Sequence, residues 1–284
     1  MPELPEVETL RRQLAPRLEG RRLDALAIHD ARWCAPLAPA VVVDALQGRR
    51  LEALGRRGKY LVWELEDEAF LLMHLRMTGT LLLDPAGEPP YERVRFTFDA
   101  GAHELCFCDP RRFGTGELAL GAPALEAFLA LRLGVEPLSG QLDAAALRRR
   151  ARGRRAPVKA FLLDQRNVAG VGNIYADEAL FRAGVHPLRP AGALTRVQWD
   201  AVARGVREAL AAGLAAGGAS IDDFRHADGD RGAFQDEFLV HRRAGEPCPV
   251  CGCPVVKLVA AGRGTYACER CQPRPRRRRR VAPA

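Results

Sequence analysis

The sequence predicts an α+β protein: an antiparallel β-sandwich behind one N-terminal helix, then a helical domain, then a small ribbon closed by cysteines. Three observations carry this. Over the first 120 residues, short apolar or alternating runs of strand length recur between turn residues. From Pro123 the apolar spacing becomes helical. Near the end, Cys248-x-x-Cys251 and Cys268-x-x-Cys271 stand at matched spacing. The expected boundaries are 1–135 for the sandwich, 136–235 for the helical domain, 236–272 for the ribbon and 273–284 for a disordered basic tail.

The first element is a helix. Pro5 suits its first turn, Glu6 and Glu8 suit the positive end of its dipole, and Val7, Leu10 and Leu14 form an apolar face running toward Leu18. This explains Pro5, Glu6 and Glu8 but not Pro2-Glu3 at the extreme terminus, where most chains are featureless. If Met1 is removed, Pro2 becomes a free secondary amine, and an α-amino group has a pKa of roughly 7.7–8.0. Such an amine attacking an acetal-like carbon gives an iminium directly, and Glu3 could move a proton at that carbon. A helix start and a covalent centre are both open at this point.

Strands are expected at Leu23–Ile28, Leu51–Leu54, Tyr60–Leu65, Ala69–Leu75, Thr80–Leu83, Arg93–Phe98 and Leu105–Cys108. The basic turn Gly55 to Lys59 leads into the third of them. Two other turns stand out. His74 to Gly79 places Met77 at a turn, and Asp109 to Gly114 places Phe113 beside Arg111 and Arg112. A Phe flanked by arginines either folds back into the core or serves as a wedge that enters a base stack while Arg holds phosphates or base edges.

Helices are expected at Ala124–Leu131, Leu142–Arg150, Pro157–Gln165 and Trp199–Ala215, the last with Val202, Val206, Leu210 and Leu214 in a core stripe. The arginine-rich stretch Arg148 to Arg155 reads as a junction. Gly170-x-Gly172 before Asn173 leaves backbone N–H groups open to a phosphate, though no strand precedes it, which disfavours a dinucleotide fold. Residues 222–231 form a polar loop of mobile character. Cys248, Cys251, Cys268 and Cys271 suit one fully cysteine-ligated zinc, which leaves no open position and is structural. Disulfides are the alternative; Cys253 is an alternative ligand by proximity, but its spacing breaks the symmetric pairs, and with Cys34, Cys106 and Cys108 it reads as a small buried side chain. Arg263 lies in a turn between the two cysteine pairs and can point outward.

Composition excludes some classes. At 284 residues, 48% hydrophobic and 27% charged, the chain suits a globular protein of two domains with a real core. No apolar run approaches a membrane span, and the start lacks a signal-peptide pattern, so cytoplasmic residence without a membrane partner is expected. The formal charge is +8, but residues 273–284 hold six arginines and no acid, so the remainder carries only +2. Basic residues are almost all arginine. Lys59, Lys159 and Lys257 are the exceptions, and each is a candidate for proton chemistry that arginine cannot do.

Pro2-Glu-Leu-Pro-Glu6, Asp109-Pro-Arg-Arg-Phe-Gly114, Val168 to Glu178 and the cysteine ribbon occur here in the order seen in one family. The chain resembles bacterial formamidopyrimidine-DNA glycosylases, which excise 8-oxoguanine and cleave the abasic site. The resemblance implies a monomer with a helix–two-turns–helix domain, acting on double-stranded DNA that contains oxidised bases or abasic sites. It implies that Pro2 attacks C1′, that Glu3 donates a proton, that Lys59 assists β-elimination and Arg263 δ-elimination, with Glu6 in the same catalytic set. It implies phosphate contacts from Asn173 and Arg263 and further DNA contacts from Arg112 and Arg155, and it implies that Met77, Arg111 and Phe113 fill the gap left by an extruded base. The sequence departs from the family at Tyr91-Glu92-Arg93, where a His-x-His pair is usual; Tyr91 then stands in that DNA-facing place. It departs again in the acids of the loop at 218–224. Two alternatives accompany this reading: an endonuclease VIII-like glycosylase for oxidised pyrimidines, and a non-catalytic damage-binding protein.

Overall fold

The computed structural model describes residues 1–221 and 224–275. The tail expected to be disordered lies outside the described residues from 276 onward, as do the loop acids Asp222 and Asp223. The described chain forms two compact units. One is Met1–Glu136 with Leu210–Glu237; the other is Pro137–Ala209 with the described chain from Phe238. The expected domains follow chain order, whereas residues 210–237 return to the first unit.

The first unit opens with helix α1, Leu4–Leu18. Two four-stranded antiparallel sheets follow. One has the order β1 (Leu23–Ile28), β6 (Glu92–Phe98), β7 (His103–Cys108), β5 (Thr80–Leu83). The other has the order β2 (Leu51–Arg57), β3 (Tyr60–Leu65), β4 (Ala69–His74), β8 (Thr115–Leu120). Alternate residues of both sheets and the Val7–Leu18 face of α1 share one core, as a sandwich requires. Trp63 of β3 stacks on Phe96 and Phe98 of β6, with centroids at 4.9 and 6.2 Å. The second sheet is buried on both faces: Tyr60, Val62, Phe70 and Leu72 lie under helix α3, Ala122–Arg132. This explains why β3 and β4 read as continuous apolar runs rather than alternating ones. A short helix α2, Pro39–Leu46, has no clear period in the sequence to signal it.

The polar loop after residue 221 is not detached where it is described. Phe224 and Ala227 are buried in the sandwich core. The Ala227 N–H donates to Gln13 Oε1 at 3.0 Å, and its carbonyl accepts the Leu83 N–H at 2.8 Å.

The second unit contains α4 (Ala144–Ala151), α5 (Val158–Leu163), α6 (Asn173–Arg182) and the start of α7 (Arg196–Ala215), with the hairpin β9 (Val256–Ala260) and β10 (Arg263–Ala267). Ala261 and Gly262 join the hairpin strands, both at positive φ, which is the type I′ pattern that matches strand twist. Among the described residues no helix is long and apolar enough to cross a membrane.

Candidate active site and nucleic-acid interface

The chain terminus is built, not frayed. Pro2 is buried, and Glu3 and Glu6 are 2% and 1% exposed. Glu3 is the N-cap of α1 and forms a reciprocal capping box with Glu6. The two carboxylate oxygens of Glu6 take different donors: Oε2 accepts the Glu3 N–H at 2.7 Å, and Oε1 accepts the Ala219 N–H at 2.8 Å. One side chain thus ties the terminal turn to the segment before the 222–231 loop.

Lys59 sits in the two-residue turn between β2 and β3, where Gly58 adopts φ +57°. Its side chain is buried. Buried Arg56 holds this turn, bonding Glu8 and Glu136 at 3.0 Å each and donating to the Gly58 carbonyl at 2.9 Å. Glu136 in turn accepts the Gly58 N–H at 2.9 Å. Burial works to raise the Glu8 pKa, but bonds from Arg11, Arg12 and Arg56 outweigh it and hold the carboxyl below its ordinary range. Opposite Tyr60 on β4 lies His74, buried and pushed down to about 3 by desolvation, with the charges of Arg76 and Lys59 adding to it. Its Nδ1 accepts the Arg76 N–H at 3.0 Å, which leaves the proton of the neutral ring on Nε2.

Met77 and the Arg111–Phe113 turn are brought together by Asp109, which is fully buried. Its carboxylate accepts the N–H groups of Arg111, Phe113 and Gly114 at 3.2, 2.8 and 2.8 Å, and the hydroxyl of Thr78. Phe107 packs beneath both turns. A Cβ on Gly114 would come within 2.3 Å of its ring and one on Gly79 within 2.8 Å, so neither position accepts a side chain. The tips face outward. Phe113 is 50% exposed and does not fold into the core, and the Arg111 guanidinium lies 4.8 Å over its ring. Met77 is half-buried. Tyr91 is exposed at φ +61°, and its carbonyl accepts the Asp109 N–H at 3.0 Å. Arg112 forms a two-pronged pair with Asp30 at 2.6 and 2.8 Å; those bonds, against the effect of burial, keep the Asp30 carboxyl below its ordinary range.

In the second unit, Arg263 begins β10 and is exposed, as is Arg155. Two side chains fix the Gly264 carbonyl beside Arg263: Asn173 Nδ2 at 3.1 Å and Lys159 Nζ at 3.2 Å. Asn173 Oδ1 is buried without a partner. Lys159 is fully buried and also donates to Thr265 Oγ1 at 2.8 Å and Asp177 Oδ1 at 2.7 Å. The second oxygen of Asp177 meets His241 Nδ1 at 2.8 Å, and Glu178 accepts the N–H groups of Leu239, Val240 and His241. Lys159 is therefore a buried ion-pair partner that holds the hairpin, and not a lysine exposed for chemistry.

The Sγ atoms of Cys248, Cys251, Cys268 and Cys271 lie within 4.8 Å of one another, with pairs at 3.4 and 3.8 Å. No disulfide links them. A tetrahedron with Zn–S of about 2.3 Å has edges of about 3.8 Å, so the four thiolates fit one structural zinc. Cys253 stays outside the cluster; its carbonyl accepts the Cys248 N–H at 2.8 Å.

Asp109, Arg56, Glu136 and Asp177 hold these turns and the hairpin in place; Asp109 and Asp177 lie within the stretches quoted from the sequence, but none of the four is given a role there. The available signal was an acid set against apolar neighbours, Asp109 directly after the apolar run of β7 and the pair Asp177-Glu178 within the otherwise mostly apolar α6.

Three family models match: the formamidopyrimidine-DNA glycosylase N-terminal domain over residues 1–116, the formamidopyrimidine-DNA glycosylase H2TH domain over 133–225, and the zinc finger found in FPG and IleRS over 245–274. The chain is 46% identical to the formamidopyrimidine-DNA glycosylase of Paracoccus denitrificans, over 96% of this chain and all of that one. Among solved structures, it is similar to the Fpg protein of Thermus thermophilus, with 42% identity and a TM-score of 0.85 over 95% of this chain and 98% of that one. It is also similar to the Lactococcus lactis Fpg in complex with DNA containing an abasic site, with 33% identity and a TM-score of 0.88 over 96% and 100% of the two chains.

Proposed function

Because this chain belongs to the formamidopyrimidine-DNA glycosylase family and is a base-excision DNA glycosylase, we propose that it excises oxidised purines, 8-oxoguanine and formamidopyrimidines, and then nicks the abasic site by β,δ-elimination. Removal of Met1 frees the Pro2 nitrogen, which attacks C1′ of the damaged nucleotide and forms a Schiff base as the base departs. Glu3 supplies the proton at the sugar, and Glu6 positions it. Lys59 assists β-elimination and Arg263 δ-elimination. Extruding the base costs a few kcal/mol of stacking and pairing; Met77 and Phe113 replace the lost stacking and Arg111 pairs with the orphaned base. Arg112, Arg155, Asn173 and Tyr91 hold the flanking DNA, and Arg112 exchanges Asp30 for a phosphate as it does so.

The observation that carries this reading is the buried terminal turn. A capping box alone serves a plain helix start; it does not require that both acids be buried, nor that the second one also accept an N–H from a distant segment, as Glu6 does from Ala219. The relative solved with abasic-site DNA supports the second half of the reaction. Borohydride added during turnover is expected to trap an enzyme–DNA adduct that maps to the N-terminal peptide. An adduct mapping to Lys59 in the processed protein would contradict the assignment, and so would undiminished trapping when Met1 is retained.

A further inference from the structure

A cleft of about 500 Å³ in the second unit lies among α4, the short turn Ala191–Ala193 and the first turn of α7. Its floor is apolar: Ala151, Leu194 and Trp199 are at most 5% exposed. Its rim is cationic: Arg148, Arg149 and Arg152 line it and are exposed. Side chains of these three make no ion pair or hydrogen bond with any described residue. Several other arginines of the chain do reach a carboxylate, as Arg95 reaches Glu92 at 2.7 Å and Arg166 reaches Asp164 at 3.0 Å.

Two acids near α4 in the chain are already engaged. Asp143 caps α4 by accepting the Ala146 N–H at 2.6 Å, and Asp164 is held by Arg166. The first turn of α7 carries Arg196 and no acid, although the positive end of a helix ordinarily attracts one. The cleft is also firmly closed on one side, where the Gly192 N–H donates to the Arg154 carbonyl at 2.9 Å. A Cβ on Gly192 would lie within 3.1 Å of three backbone atoms of Ala151 and Arg154, so the turn can approach α4 only as glycine.

We propose that this cleft is a phosphate-binding site, separate from the residues assigned to the lesion, and that it takes a backbone phosphate of duplex DNA outside the damaged nucleotides. Planar guanidinium groups suit phosphate oxygens by paired N–H donors, and an apolar floor strengthens that pairing by lowering the local dielectric. The same chemistry would accept a free oligophosphate, so the test separates the two sources.

The full chain is compared with the variant Arg148→Gln/Arg149→Gln/Arg152→Gln and with a control of equal charge change, Arg17→Gln/Arg22→Gln/Arg50→Gln, whose arginines are paired with Asp84, Asp24 and Glu66. Binding to an undamaged duplex of about three helical turns is measured against salt, and binding of sodium tripolyphosphate by calorimetry. The expected result is that the slope of log K against log salt flattens by about 0.9 for each phosphate engaged, more in the cleft variant than in the control. A variant with lysine at the same three positions should keep part of the slope. If only tripolyphosphate affinity falls, by about tenfold or more, the site exists but DNA is not its ligand, and the proposal fails as to its occupant. Equal behaviour of the cleft variant and the control in both measurements overturns the proposal. Lesion cleavage at saturating enzyme is expected to stay at the wild-type rate; a loss there would place these arginines in the reacting complex instead.

Discussion

Two buried aspartates organise the two units in opposite ways. Asp109 is satisfied by three backbone N–H groups and one hydroxyl, all neutral. Asp177 is satisfied by an ammonium and a histidine ring. The first arrangement consumes no cation, so Arg111 remains at the surface over Phe113, available to whatever meets that turn. The second consumes a fully buried lysine and joins a helix to the hairpin that presents Arg263. Neutral donors shape a surface while leaving its charges free, and a buried ion pair fixes one element on another.

The largest expected effect comes from unmaking the charged case. Lys159→Met leaves Asp177 buried with its ammonium partner gone, which costs about 3–5 kcal/mol. Denaturant unfolding should show that loss, together with weaker δ-elimination relative to β-elimination as Arg263 loses its anchor. Adding Asp177→Asn, which removes the stranded charge and keeps an acceptor for His241, should restore about half of the stability. If the double variant is no more stable than the single one, the ion pair is not what holds the hairpin.

A smaller effect is expected at the neutral aspartate. Asp109→Asn keeps one acceptor oxygen and turns an NH₂ group toward backbone donors, a cost of about 2–3 kcal/mol. The turns at Thr78 and Phe113 should loosen together. Cleavage of 8-oxoguanine in duplex should then fall at least about tenfold more than cleavage of a preformed abasic site, which flips more cheaply. Phe113→Ala, which leaves the Asp109 bonds intact, should reproduce the selectivity without the stability loss. Equal losses on both substrates with Asp109→Asn would mean that the turns act on folding alone.

These two aspartates also mark the limit of what the sequence discloses. The strands β3 and β4, the apolar face of α1 and the cysteine ribbon follow from local spacing, because each is a repeat within one element or one hairpin. Strand β8 is hidden by Gly116, a poor strand residue that is kept because a Cβ there would fall within 2.1 Å of the Trp33 ring. Glu6 reads as a dipole residue until Ala219, 213 positions away, donates to it. Arg112 reads as a free cation until Asp30 is placed beside it. Lys159 reads as chemistry until Asp177 and Thr265 enclose it. In each case the partner lies far along the chain, where no local period reaches. The return of residues 210–237 to the first unit is hidden for the same reason.

The smallest expected effect tests how the two units treat a buried histidine. His241 faces a carboxylate, whereas His74 lies near the cations Arg76 and Lys59 and is held neutral, down to about pH 3. Its folded pKa is below the ordinary value of 6.5. Between those values the unfolded chain binds a proton that the folded chain refuses, so stability is complete above about pH 6.5 and is lost as pH falls. The loss approaches about 1.4 kcal/mol for each pH unit. His74→Asn keeps an acceptor for the Arg76 N–H and does not titrate. Between about pH 7.5 and 5.5 the variant should therefore lose about 1 kcal/mol less stability than the wild type, measured by urea unfolding at both pH values. An unchanged difference would mean that His74 takes up its proton in the folded protein despite Arg76 and Lys59.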